Sequence, residues 1–161
     1  MLPRRCRVTL ACAVTFALAP ELVQAGVVLE GQFLKVQISD LGTLGPGLDE
    51  TPSSQFGILV DRLGTGRHSI DLLNGLRHEG FGVVSDQTGF VENANGIAGL
   101  GAGSVMPTPG GPQWTGSFGR FFTISHLFLF NALGTQLPIF TTITALQDLT
   151  GLAFVRAIDP S

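Results

Sequence analysis

From Arg120 the chain reads RFFTISHLFLFN, and its side chains alternate without a break. Phe122, Ile124, His126, Phe128 and Phe130 fall on one side; Phe121, Thr123, Ser125, Leu127 and Leu129 fall on the other. A period of two is the signature of an extended strand, because a helix would scatter the same residues around its axis. A face of Phe and Ile that wide has to be covered, most simply by a second sheet. Two further strands follow. Residues 137–146 (LPIFTTITAL) are rich in Ile and Thr, the β-branched types that strands prefer, and residues 152–158 read LAFVRAI. Residues 131–136, with Gly134, and 147–151 are the loops between them. Three long antiparallel strands on short loops predict a meander, and the chain as a whole reads as an all-β, antiparallel β-sandwich.

The upstream half is less explicit. In residues 26–39 (GVVLEGQFLKVQIS) Val27, Leu29, Phe33, Val36 and Ile38 nearly alternate with polar residues, which predicts a strand. Residues 42–54 read as loop, 56–60 (FGILV) as a short buried strand, and Gly64-Thr65-Gly66 as a turn. Residues 69–76 make a loop turn. Extended character returns over 78–85 and again at Phe90, Val91 and Glu92. Nine glycines lie between Gly89 and Gly119, with Pro107, Pro109 and Pro112 among them. The ends of that stretch suit tight turns between short strands, and its centre, 96–111, reads as a Gly/Pro-rich loop.

The first 25 residues carry an address rather than a fold. Arg4, Arg5 and Arg7 form a positive region, residues 8–19 form an uncharged, mostly apolar run of 12, and Val23 and Ala25 place small residues ahead of Gly26. This is the pattern of a cleaved signal peptide, and the run falls short of the about 20 residues that a membrane anchor needs. Thr9-Leu10-Ala11 is a poor lipidation box for Cys12. The expected organisation is a signal peptide, 1–25, and one β-sandwich domain, 26–161. Cleavage removes both cysteines, so the mature domain has no thiol chemistry and no disulfide. It retains six basic and eleven acidic residues, a net charge of −5. No later segment reaches spanning length.

At 13% charged residues and 22 glycines in 161, the chain is charge-poor and Gly-rich. That excludes a charged disordered tail, a coiled coil and a basic nucleic-acid binder. Chemistry is sparse. His68, His78 and His126 lack the close spacing of a zinc site, and His126 among Phe and Ile reads as a core or rim histidine. Asp86, Glu92, Asn93 and Asn95 carry the oxygen ligands that calcium takes, without a recognised calcium loop; a solvated turn is the plainer reading. Glu79 and Asp86 are carboxylates of the type that glycosidic hydrolysis pairs. There is no G-x-S-x-G elbow, and Gly99-Leu100-Gly101-Ala102-Gly103 lacks the spacing of a dinucleotide loop. Trp114, flanked by Gln113 and Thr115, is the one side chain suited to stack on a sugar, and the competing reading has it cover one end of the sandwich.

Several blocks together resemble a known group. They are Thr141-Thr142-Ile143-Thr144-Ala145-Leu146, Asp148-Leu149-Thr150 and the run from Leu152 to Pro160; nearer the start, Val28-Leu29-Glu30-Gly31-Gln32-Phe33, Gly64-Thr65-Gly66 and Glu79-Gly80-Phe81. In patches across 27–160, they are similar to the N-terminal β-sandwich domain of large exported bacterial proteins, which often end in an autotransporter barrel or a surface-sorting tail. The resemblance implies a secreted β-sandwich, the supersandwich being one form of it, and brings no catalytic residues. Such chains continue well past the Asp-Pro, whereas this one stops at Ser161, which reads as a truncated copy whose last strand is an unpaired edge. The expected role is a secreted, extracellular or periplasmic, cell-surface β-domain. It is non-enzymatic, structural or adhesive, takes no cofactor, and has a surface polysaccharide or another cell-surface protein as partner. The alternative is a carbohydrate-binding or carbohydrate-modifying domain using Trp114 and nearby acids.

Overall fold

A computed structural model describes residues 26–45, 56–73, 79–94 and 96–158. The proposed signal peptide with its cysteines, the polar stretch 46–55, His78 and Asn95 lie outside them. Among the described residues the chain is all-β and antiparallel, 56% strand, without a helix. No helix there is long and apolar enough to cross a membrane.

The described residues form twelve strands in three four-stranded sheets around one apolar cluster, a sandwich whose layers are completed by a third sheet. The first sheet holds β1 (Gly26–Glu30), β2 (Leu34–Ser39), β3 (Ile58–Val60) and β4 (Ile70–Asp71) in sequence order. The stretch expected as a single strand over 26–39 is therefore a hairpin. Its apolar residues shift from odd positions (Val27, Leu29, Phe33) to even ones (Val36, Ile38), and that phase slip marks the turn at residues 31–33. Gly31 is required there, since a Cβ would lie 2.6 Å from the carbonyl oxygen of Ala132. The Gly64-Thr65-Gly66 turn is present, and both glycines have positive φ. Asp61 fastens it by accepting from the Leu63 and Arg67 N–H groups and the Thr65 hydroxyl.

The second sheet takes β5 (Glu79–Ser85), β6 (Gly89–Ala94) and β7 (Ile97–Ala98), with β12 (Ala153–Ile158) on the free side of β5. The third is the meander β8 (Ser104–Thr108), β9 (Gly111–Phe118), β10 (Phe122–Phe128) and β11 (Ile139–Ala145). The alternation along β10 holds: Phe122, Ile124, His126 and Phe128 are buried, and the residues between them are not.

The stretch 69–76, expected as a loop turn, contains β4, and two further expectations change. The stretch 96–111 carries β7, β8 and the start of β9 rather than a continuous loop. Prolines fit because β8 is an edge strand and the cross-strand neighbours Pro107 and Pro112 sit next to its hairpin turn. The last strand does not continue the meander; β12 pairs with β5, from Ala153↔Val84 to Ile158↔Glu79. The reason lies in the preceding loop. Thr150 donates from its hydroxyl to Asp86 (2.8 Å) and from its N–H to the Gln87 side-chain oxygen (3.0 Å), and its carbonyl accepts from the Asp86 N–H (2.9 Å). The β5–β6 turn thus captures the loop and delivers β12 to the opposite sheet. Its far side is a sheet edge, while its near side is fully paired.

Candidate functional site

Polar side chains are gathered most densely in the interior, around residues 40–44, the turn that follows β2. Inward positions of two sheets face each other across it. On one sheet Val105, Trp114, His126 and Thr141 form a row of cross-strand neighbours from β8 to β11. On the other, Arg156, Phe81 and Asn93 form a row from β12 to β6. Trp114 and His126 stack in parallel, 5.2 Å between centroids and 16° apart, and the Phe81 ring meets both edge-on.

The turn between the rows is held by the side chains of Trp114, Asn93, Arg156 and Glu79. The Trp114 indole N–H donates to the Asp40 carbonyl (2.7 Å), and the Asn93 amide donates to the carbonyls of Leu41 (3.0 Å) and Gly101 (2.8 Å). Arg156 Nη2 donates to the Gly42 carbonyl (3.3 Å), and the Leu44 N–H donates to Glu79 Oε2 (2.5 Å). Gly42 has φ +76° and lies flat against the indole, where a Cβ would fall 2.4 Å from the ring. Both constraints select glycine.

Glu79 is fully buried and its Oε1 lies 2.6 Å from Arg156 Nε, an ion pair approached obliquely. Burial pushes the Glu79 carboxyl up from its usual range, against the pull of Arg156 and the Leu44 N–H. Burial also lowers the Arg156 guanidinium, against the stabilising charge of Glu79. That guanidinium lies over the rings of Phe81 and Phe128, 5.7 Å from each centroid. His126 Nδ1 is 2.9 Å from the Thr141 hydroxyl, and burial, followed by the Arg156 charge, lowers its pKa to about 3. It is a neutral core imidazole, as its Phe-rich strand face suggests.

The residues singled out from the sequence do not converge. Trp114 is completely buried, so neither ring face is open to a sugar; nor does it cover an end of the sandwich, because it sits mid-strand at the meeting point of three sheets. Asp86 lies in the β5–β6 turn, bonded to Thr150. Asn93 is buried near the other end of β6, opposite Phe81 and so roughly 16 Å from Asp86 at strand rise, with its amide used by the 40–44 and 99–101 turns. Glu92, on the same strand, faces outward with Ala94. The calcium set therefore does not form a shell, Asn95 lying outside the described residues, and among those residues no three His, Cys, Asp or Glu side chains group as metal ligands. Glu79 and Asp86 sit at opposite ends of β5, too far apart for a glycosidase pair, and Glu79 is closed to solvent. His68 Nε2 lies 2.9 Å from the Gly31 carbonyl and belongs to the first sheet's periphery.

Sequence reasoning missed the Glu79–Arg156 pair. The two residues are 77 positions apart and each looks like an ordinary surface charge. The only trace is that Arg156 interrupts an otherwise uncharged strand, LAFVRAI.

Among the described residues three surface clefts remain, and one of about 700 Å³ follows the Gly64-Thr65-Gly66 turn over Asp61, Arg62 and Arg67. A cleft of about 440 Å³ opens where the β10–β11 loop meets the β8–β9 turn, lined by Gly110, Leu129, Phe130, Asn131, Gly134, Thr135, Gln136 and Pro138. A smaller trough of about 360 Å³ runs over Gly80 and Gly82 on the outer face of the second sheet, walled by Phe90, Ile97 and Val155. The chain matches no protein-family model, no curated protein and no solved structure.

Proposed function

We propose that this chain is an exported, non-enzymatic β-module of the cell-surface or passenger type, with a structural or adhesive role. The observation that supports it is the character of two of its edge strands, β11 and β12. The outward side chains of β11 are Phe140, Thr142 and Thr144, and those of β12 are Ala153, Val155 and Ala157, with no charge among them. Phe140 is 58% and Val155 50% exposed. An edge strand without proline whose outward face carries no charge is a surface for adding strands or laying chains alongside. The N-terminal pattern supports export, and the patchwise resemblance supports the passenger-type setting.

Expression of the chain with a C-terminal tag, followed by fractionation and intact-mass measurement, tests the reading. Export with a mature N-terminus at Gly26, and protease-accessible tag on intact cells, is the expected result. Cytoplasmic protein retaining residues 1–25 would overturn it.

A further inference from the structure

We infer that the cleft between the β10–β11 loop and the β8–β9 turn is a binding site for a neutral saccharide. The inference gives the adhesive reading above a ligand class, but it concerns the folded domain alone and needs neither export nor a cell surface.

The lining is chemically selective. Among the described residues, no charged one contributes to it. Hydrogen-bonding capacity comes from two amides and a hydroxyl, Asn131, Gln136 and Thr135, on one rim; apolar surface comes from Phe130, Leu129 and Pro138. A sugar presents the matching pair of surfaces, a C–H face that packs on an aromatic ring and a rim of hydroxyls that both donate and accept. Among those described lining residues a phosphate or carboxylate finds no cation, and a cation no carboxylate. The volume of about 440 Å³ lies within the roughly 300–1,000 Å³ of small-molecule sites.

The cleft is also built to stay open. Its loop is closed at the base by the Leu129 N–H donating to the Pro138 carbonyl (2.9 Å) and is tied to the first sheet by the Gln32 N–H donating to the Ala132 carbonyl (2.6 Å). Within it, the Gly134 N–H donates to the Asn131 carbonyl and the Leu133 N–H to the Asn131 side-chain oxygen. That last bond holds the side-chain amide of Asn131 in one orientation. Phe130 is partly buried against the core, which holds its ring in place at the wall. On the opposite wall Gly110 supplies space: a Cβ there would meet only Leu127 and Leu129 methyls at 3.6–3.8 Å, ordinary contact, so the fold tolerates a side chain that the cleft would not.

The test is a ¹⁵N–¹H NMR titration of the folded protein with cellohexaose, maltohexaose, xylohexaose and N-acetylchitohexaose, each to roughly 10 mM, a range that detects millimolar binding. Hexagalacturonate, which is anionic, is the control. At least one neutral sugar is expected to shift amides at 110 and 129–138. Thr135→Ala/Gln136→Ala should weaken that binding by roughly fivefold or more, each lost hydrogen bond contributing its usual modest share. Gly110→Leu should abolish it with the rest of the spectrum unchanged. Both variants lie on the surface, so a preserved spectrum separates loss of binding from loss of fold. Absence of shifts with every neutral sugar, shifts confined to other surfaces, or binding of hexagalacturonate alone would overturn the inference. None of these results bears on where the protein is exported, so its failure is distinguishable from failure of the surface-module reading.

Discussion

At the scale of single residues, the interior is organised by a few polar side chains that connect sheets. His126 is the most consequential for solution behaviour. Its pKa is about 3 in the fold against an ordinary 6.5, so between those values the unfolded chain binds a proton that the folded one does not. Stability from this residue is complete above pH 6.5 and is lost as the pH falls toward 3. Glu79, whose carboxyl is raised, works in the opposite direction, and Arg156 keeps its charge throughout. The ring is therefore isolated by difference: urea midpoints of the wild type and of His126→Phe, measured from pH 7 to pH 4, should diverge in slope, the wild type losing more. Parallel curves would mean that the ring is not buried neutral. The ion pair gives a second expectation. Arg156→Met leaves a buried carboxylate unpaired and should cost about 3–5 kcal/mol, whereas Glu79→Leu/Arg156→Met should recover much of that loss. Denaturant unfolding of the three proteins decides it, and a double variant no better than the single would show that the pair's hydrogen bonds to the 40–44 turn, rather than its charges, hold that region.

At the scale of elements, β10 is the strand whose packing the alternation describes most directly. Phe128 is fully buried and Ser125 is on the opposite face, so Phe128→Ala should cost about 3–5 kcal/mol and Ser125→Ala well under 1 kcal/mol. The reverse order in equilibrium unfolding would place the register one residue off. β12 shows what an edge exposes. Val155 points outward there and is half exposed, so Val155→Lys should change stability by no more than about 0.5 kcal/mol while suppressing self-association. Sedimentation velocity over a concentration series measures this; unchanged association would place the sticky surface elsewhere, β11 with Phe140 being next.

At the scale of the molecule, three sheets share one core. The cluster draws Val36 and Ile38 from the first, Phe81 and Val83 from the second, and Trp114, Phe122, Ile124 and Phe128 from the third. Sheets of four short strands cannot bury their inner faces separately, so unfolding should be a single cooperative step. Trp114 reports the junction itself and far-UV circular dichroism the strands, and the two denaturation curves should coincide. A Trp114 transition at lower denaturant than the strand signal would mean that the sheets come apart before they melt.

The division between what could be read in the sequence and what needed the tertiary structure follows from the range of the forces involved. Alternation is local, so the all-β class, the inward face of β10 and the core place of His126 were all legible from neighbours two residues apart. Where local rules conflicted, the reading failed: the odd-to-even slip between Phe33 and Val36 announced a hairpin, and Pro107 beside Pro112 suited an edge hairpin better than a loop. The partners of Trp114, Glu79 and Arg156 were not legible at all. Nothing in a chain marks which charge will lie 77 residues from its counterpart, or that a tryptophan's N–H will bond a carbonyl 74 positions away. The destination of β12 belongs to the same class: its own residues make it a strand, but bonds from Asp86 and Gln87 to Thr150 choose its sheet. Patterning alone determined that these segments are strands and which faces are apolar, because burial of every second side chain is a property of the segment. Pairing, and with it the buried hub and the open cleft, is decided only when distant segments compete for the same hydrogen bonds and the same volume.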